Sequence, residues 1–260
     1  MTLSVYQVDA FTDTLFGGNP AAVVLLPSEL SESTLQSIAA EHNLSETAFV
    51  LPEEQHYRLR WFTPVLEVDL CGHATLASAF VLFETGLATE DSIRFETKSG
   101  SLFVTRDADL MRMDFPSRPP EPASCTDALV DALGARPSEV HGSRDLMAVF
   151  DSEEQVRRLQ PDFAKIAALD AFAVAVTAPG REVDFVSRFF APKAGVAEDP
   201  VTGSAHCTLV PYWARQLAKR ELHARQVSAR GGELFCTDRG DRVSIGGRAV
   251  MYLRGQIEVT

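Results

Sequence analysis

The chain has 260 residues, 45% of them hydrophobic and 23% charged, with a formal net charge of −12. That balance supports one large domain or two small ones and excludes disorder for the bulk of the chain. The acidic sum, which contains no Lys/Arg run, argues against nucleic acid or an anionic membrane surface as a partner.

Val5–Val8 and Ala21–Leu26 read as strands separated by the turn Gly17-Gly18-Asn19-Pro20. Ser31 can cap a helix that runs to His42 and buries Leu35, Ile38 and Ala39. Thr47–Leu51 is apolar enough for a strand, and Tyr57–Phe62 alternates as a half-buried strand would. His73–Phe83 is apolar nearly all round, which predicts a buried helix. Phe172–Val176 and Asp184–Phe190 supply later strands, and Ser204–Leu217 is the expected counterpart of the buried helix.

The chain also repeats itself. Arg60-Trp61-Phe62-Thr63-Pro64 resembles Arg188-Phe189-Phe190-Ala191-Pro192. Cys71-Gly72-His73-Ala74 then matches Thr202-Gly203-Ser204-Ala205, and Ser99-Gly100-Ser101-Leu102-Phe103 matches Gly231-Gly232-Glu233-Leu234-Phe235. Matches in one order and at nearly one offset imply two halves of like fold. Two copies are too few for a solenoid. The Pro-rich stretch Pro116–Pro122 is the expected connector. The expected halves are residues 1–118 and 119–247, with 248–260 packing on the first and an active cleft between them. The fold class is α+β, each half a mostly antiparallel sheet curled around a central helix.

Cys71, Cys125, Cys207 and Cys236 form no C-x-x-C pair and show no zinc-finger spacing with histidine. They read as reduced thiols. The N-terminus lacks a secretory pattern and the apolar runs are too short to span a bilayer, so a cytoplasmic protein is expected. With no P-loop or G-x-G-x-x-G run, no nucleotide, flavin or metal cofactor is expected.

Candidate chemistry gathers at the starts of the two central helices. First-turn N–H groups lack internal partners, and the macrodipole adds partial positive charge, so Gly72-His73 and Gly203-Ser204 could each hold a carboxylate. The alternative is that these glycines only open helices. Glu46 stands where a helix ends and an apolar strand begins. It is either a desolvated general base or a solvent-facing turn residue. His73 could shuttle protons or be a core or capping histidine, and its place in a first helical turn favours the neutral ring. Asp199 is a second carboxylate or a loop cap. Cys71, just before a helix, could be a thiolate base, but its counterpart Thr202 cannot be one. Ser204 lies near His206, but the run is not a G-x-S-x-G elbow. Ser204 therefore reads as a helix cap and substrate hydrogen-bond donor.

Taken together, Val8-Asp9-Ala10-Phe11, Gly18-Asn19-Pro20-Ala21, Leu44-Ser45-Glu46-Thr47, Asp69–Thr75 and Asp199–His206 resemble the PhzF-like family of the diaminopimelate-epimerase superfamily. The resemblance runs over nearly the whole chain. It implies a two-half fold, a homodimer and an isomerase acting on a small anionic metabolite without a cofactor. The named member isomerises trans-2,3-dihydro-3-hydroxyanthranilate. It further implies that Glu46 is the proton-transfer residue. His73 and Asp199 would assist it, and Asn19, Gly72, Gly203 and Ser204 would contact substrate. Epimerase relatives use a cysteine pair, of which this chain keeps Cys71 alone. An epimerase or racemase using Cys71, and a non-catalytic metabolite-binding protein, are the competing readings.

Overall fold

The structure, a computed structural model, describes residues 1–259. The chain folds as two compact units. One comprises Met1–Asp114 together with the chain from Gly246 onward, and the other comprises Phe115–Ile245.

The first unit contains β1 (Thr2–Ala10), β2 (Asn19–Leu25), α1 (Glu32–His42), β3 (Glu46–Pro52), β4 (Tyr57–Phe62) and β5 (Glu67–Val68). These are followed by α2 (Gly72–Glu84), β6 (Ser92–Thr97), β7 (Gly100–Asp107) and β8 (Leu110–Pro116). β1 pairs antiparallel with β2, β3 with β4, β6 with β7, and β7 with β8. β2 runs parallel to β3 and β4 parallel to β6. Each parallel step needs a crossover, which α1 and α2 supply.

The expected Ser31 cap is present: its hydroxyl accepts from Thr34 N–H. Leu35, Ile38 and Ala39 bury against Leu3, Val5, Val24 and Phe49. Val23 is as fully buried as Val24, and strand alternation turns it to the opposite face. That face is covered by α2, whose buried residues include Ala74, Leu76, Ala77, Val81 and Leu82. Each buried Leu or Val side chain contributes about 1.5–3 kcal/mol. This explains why α2 is apolar all round whereas α1 is not.

The second unit contains β9 (Glu121–Pro122), α3 (Asp127–Leu133), β10 (Glu139–Gly142), β11 (Leu146–Val149), α4 (Glu153–Arg158) and α5 (Phe163–Ala168). It continues with β12 (Val174–Pro179), β13 (Phe185–Ala191), β14 (Val196–Asp199), α6 (Gly203–Leu217), β15 (Glu221–Gln226), β16 (Gly232–Asp238) and β17 (Arg242–Gly247). The last strand, β18 (Ala249–Glu258), pairs antiparallel with β1 of the first unit.

The pairing order of the first unit recurs in the second. β10–β11, β12–β13 and β15–β16 are antiparallel, while β11–β12 and β13–β15 are parallel. The repeat read in the sequence is therefore a repeat of topology, in an α+β fold of two like units. The predicted strand at Phe172 begins later, at Val174, and leaves Phe172 exposed. The Pro-rich stretch is not all connector, because Glu121–Pro122 pairs with β10. Within α6, Pro211 has no N–H to give the Cys207 carbonyl, and that carbonyl accepts from Arg118 N–H at 2.9 Å instead.

The repeated arginines share one interaction. Arg60 of β4 donates through Nε and Nη2 to both carboxylate oxygens of Glu67, at 2.7 and 2.8 Å. Arg188 of β13 does the same to Glu198, at 2.8 and 2.9 Å. In both copies a glycine that opens the central helix follows five residues after the glutamate. These forks pin the loops that present the helix starts. The Arg60 guanidinium, with Lys98 beside it, holds the Glu67 carboxyl below its ordinary 4.5. Glu67→Gln is expected to cost about 1–3 kcal/mol of stability at neutral pH. A depressed folded pKa contributes stability above pH 4.5 that is lost as pH falls through the folded value. The gap between wild type and variant in denaturant melts should therefore close in acid. A gap unchanged from neutral pH to pH 3 would contradict this account.

Candidate active site

In the first unit the structure brings together Asn19, Glu46, Cys71 and His73. Gly18, at φ +61, makes the turn into β2; a Cβ there would lie 2.1 Å from the Ala10 carbonyl oxygen. Only glycine fits so close an approach, and it delivers Asn19 opposite Ala10 in the β1–β2 ladder. The parallel register pairs Ala21 with Glu46, so β2 and β3 begin side by side. α2 begins beside them. His73 lies in its first turn, and Cys71 is its N-cap residue.

The side chains form a line through the His73 ring. Asn19 Nδ2 lies 3.2 Å from His73 Nδ1, and Cys71 Sγ lies 3.5 Å from the same nitrogen. On the opposite edge of the ring, Nε2 lies 3.3 Å from Glu46 Oε2. Its aim is off the hydrogen-bond line, so Nε2 is a buried polar atom without an aligned partner. Asn19 is fully buried, and the Glu46 side chain keeps 18% exposure. Burial lowers the His73 pKa from 6.5 to about 3. The ring is therefore neutral at physiological pH, as its helix-start position implied, and it serves as a hydrogen-bonding group rather than a cation.

Glu46, Cys71 and His73 place their donor atoms within 4.8 Å of one another. Their chemical types would suit zinc. However, the two ring nitrogens point away from each other, one toward Cys71 and the other toward Glu46. The donors are strung through the imidazole and do not converge on one point, so this arrangement does not fit a single ion.

The second unit gathers Asp199, Thr202, Gly203, Ser204 and Gln226. The Thr202 hydroxyl makes a short hydrogen bond to Asp199 Oδ2. Gln226, fully buried at the end of β15, accepts from Thr202 N–H at 2.9 Å and donates to the Asp199 carbonyl at 2.7 Å. Gln226 was missed in the sequence. The signal was its place in the inward alternation Leu222, Ala224, Gln226, where an amide among apolar residues implies a buried hydrogen-bonding task.

Ser204 does not cap α6. Thr202 is the N-cap residue, and Ser204 lies inside the first turn. His206 is fully buried, and its Nδ1–H donates to the Thr202 carbonyl at 2.8 Å. Thr75 makes the matching bond to the Cys71 carbonyl, at 2.6 Å. His206 thus holds a helix start, and its bond lies on the backbone rather than on Ser204.

The two central helices differ from the others at their N-termini. Side chains of Ser31, Thr126, Ser152 and Asp162 cap α1, α3, α4 and α5. Neither Cys71 nor Thr202 places a side chain on the first-turn amides of α2 or α6. Those helix starts therefore carry no N-cap side-chain bond.

The chain matches known proteins along nearly its whole length. The model of the phenazine biosynthesis-like protein family, PhzC-PhzF, matches residues 8–255. An uncharacterized isomerase of Pseudomonas aeruginosa is 51% identical over 259 residues, covering 100% of both chains. The crystal structure of a phenazine biosynthesis PhzF-family protein from Enterococcus faecalis superposes with a TM-score of 0.98, at 48% identity and full coverage of both chains. A hydroxyproline epimerase from Agrobacterium vitis, 12% identical with a TM-score of 0.61 over 98% of this chain and 92% of its own, shares the fold alone. Among the described residues no helix is long and apolar enough to cross a membrane. The chain belongs to the phenazine biosynthesis-like (PhzC-PhzF) family and is an isomerase of that kind.

Proposed function

We propose that the chain is a cofactor-independent isomerase that moves a proton within a small carboxylate-bearing metabolite, with Glu46 as the group that takes and returns it. The observation that carries this reading is the half-buried Glu46 carboxylate, 3.3 Å from the neutral ring of His73 at the uncapped start of α2. Glu46 removes a proton from a substrate carbon. The C–H electron pair passes into the conjugated system ending on the substrate carboxylate, and the proton returns to another carbon on the same face. First-turn amides of α2, at Gly72 and His73, take the negative charge that develops on oxygen. Gly203 and Ser204 at the start of α6, with Asp199 beside them, are the second proposed substrate contact. The working form we propose is a cytoplasmic homodimer.

An epimerase reading has one observation in its favour, the Cys71 thiol against His73. The matching residue of the second unit is Thr202, so a two-thiol mechanism has no second thiol there. Cys71→Ala decides between the readings. Under ours, turnover stays within a few-fold of wild type while Glu46→Gln loses it. Collapse of Cys71→Ala with survival of Glu46→Gln would transfer the base role to the thiol.

A further inference from the structure

We propose that Asn19 is a positioning residue that sets the tautomer of His73, placing the ring proton on Nε2, where it faces Glu46. This rests on the reading of Glu46 as the proton-transfer group. The Asn19 amide nitrogen only donates, and it lies 3.2 Å from Nδ1. A nitrogen that accepts must be unprotonated, so in a neutral ring the proton is on Nε2. The other tautomer would be opposed at both edges. Nδ1–H would meet the Asn19 N–H, and the Nε2 lone pair would meet the Glu46 carboxylate 3.3 Å away.

Cys71 reaches the same nitrogen, but at 3.5 Å and through a weak S–H donor, so the amide is the stronger partner. Asn19 is placed for this task by the backbone. It is fully buried, paired with Ala10, and preceded by a turn glycine that tolerates no side chain. Its contribution to the reaction is therefore made through His73. The ring it secures turns a proton rather than a lone pair toward the Glu46 carboxylate 3.3 Å away, which favours the ionised base electrostatically.

The test is a long-range proton–nitrogen NMR correlation at pH 7 on protein labelled with 15N-histidine, with the His73 signals identified by their loss in His73→Gln. Wild type should show an unprotonated Nδ1 and a protonated Nε2, and a protonated Nδ1 would overturn the proposal. Glu46→Gln should keep the same tautomer, because Asn19 still holds Nδ1. A change there would assign the tautomer to Glu46 instead. Asn19→Asp sets an acceptor against Nδ1 and should bring a proton onto that nitrogen. In the same variant kcat should fall by about 10²-fold with KM little changed. An Asp variant that folds with Nδ1 still unprotonated would overturn the assignment. The wild-type and Glu46→Gln spectra decide the matter even if that variant does not fold. The spectra need no turnover, so failure of the Glu46 reading is seen separately, as an active Glu46→Gln enzyme with the tautomer as assigned.

Discussion

Glu46→Gln is expected to lower turnover by about 10²- to 10⁴-fold while leaving the fold intact, the range a well-placed general acid/base group contributes. The amide keeps the shape and polarity of the carboxylate and removes its capacity to take a proton. Glu46 opens β3 and is only half-buried, so the substitution opens no cavity. The loss should fall on kcat more than on KM, since the proposed anion contacts at the start of α2 are untouched. Solvent deuterium offers a second readout. Wild type should wash label into unreacted substrate or product in D2O, and the variant should not. Turnover near wild type in a correctly folded Glu46→Gln protein would refute the assignment.

The second large effect is on stability in acid. His73 and His206 are fully enclosed, and burial lowers their pKa values to about 3 and about 4 from 6.5. The unfolded chain takes up these protons near pH 6.5 and the folded chain does so only well below it. Their contribution is therefore fully present above pH 6.5 and is lost as pH falls toward 4 and 3. At pH 4 each histidine accounts for a loss of about 3 kcal/mol, a large part of the 5–15 kcal/mol typical of a folded domain.

His206 is the residue to test, because it serves the backbone of Thr202 and its loss leaves the Glu46–His73 cluster in place. His206→Gln keeps a donor for that carbonyl and never ionises. It should cost some packing against Phe185 at neutral pH and then lose less stability in acid. In urea melts its deficit relative to wild type should shrink by about 3 kcal/mol between pH 7 and pH 4. A constant deficit across that range would show that His206 is not the proton acceptor on unfolding.

Much of the architecture was legible in the residues because it depends on local rules. Amphipathic spacing over Ser31–His42 and its hydroxyl cap are one-dimensional signals, and they gave α1 to within a residue. The duplicated Arg-x-Phe and glycine runs revealed two like units, because a repeated topology leaves repeated sequence. Side-chain roles do not follow local rules. Most glutamates are exposed, so nothing near Glu46 in sequence separates a base from a turn residue. What brings its carboxylate within 3.3 Å of His73 is tertiary packing, in which β2 runs parallel to β3, a contact between residues far apart in the chain. Ser204 was mistaken for a cap because Thr202, two residues earlier, is an equally good candidate by type.

By itself the sequence determined the α+β class, the two-fold repeat, the two apolar helices and the family to which they belong. These follow from periodicity, turn chemistry and motif order, which are written along the chain. Only the tertiary structure decided that Asn19, Cys71 and Glu46 meet on two edges of one imidazole, that burial reinforces the neutral form of that ring, and that Gln226 and two arginine forks hold the loops before the helices. Desolvation and hydrogen-bond geometry depend on distances across the sheet, and those distances exist only once the strands have paired.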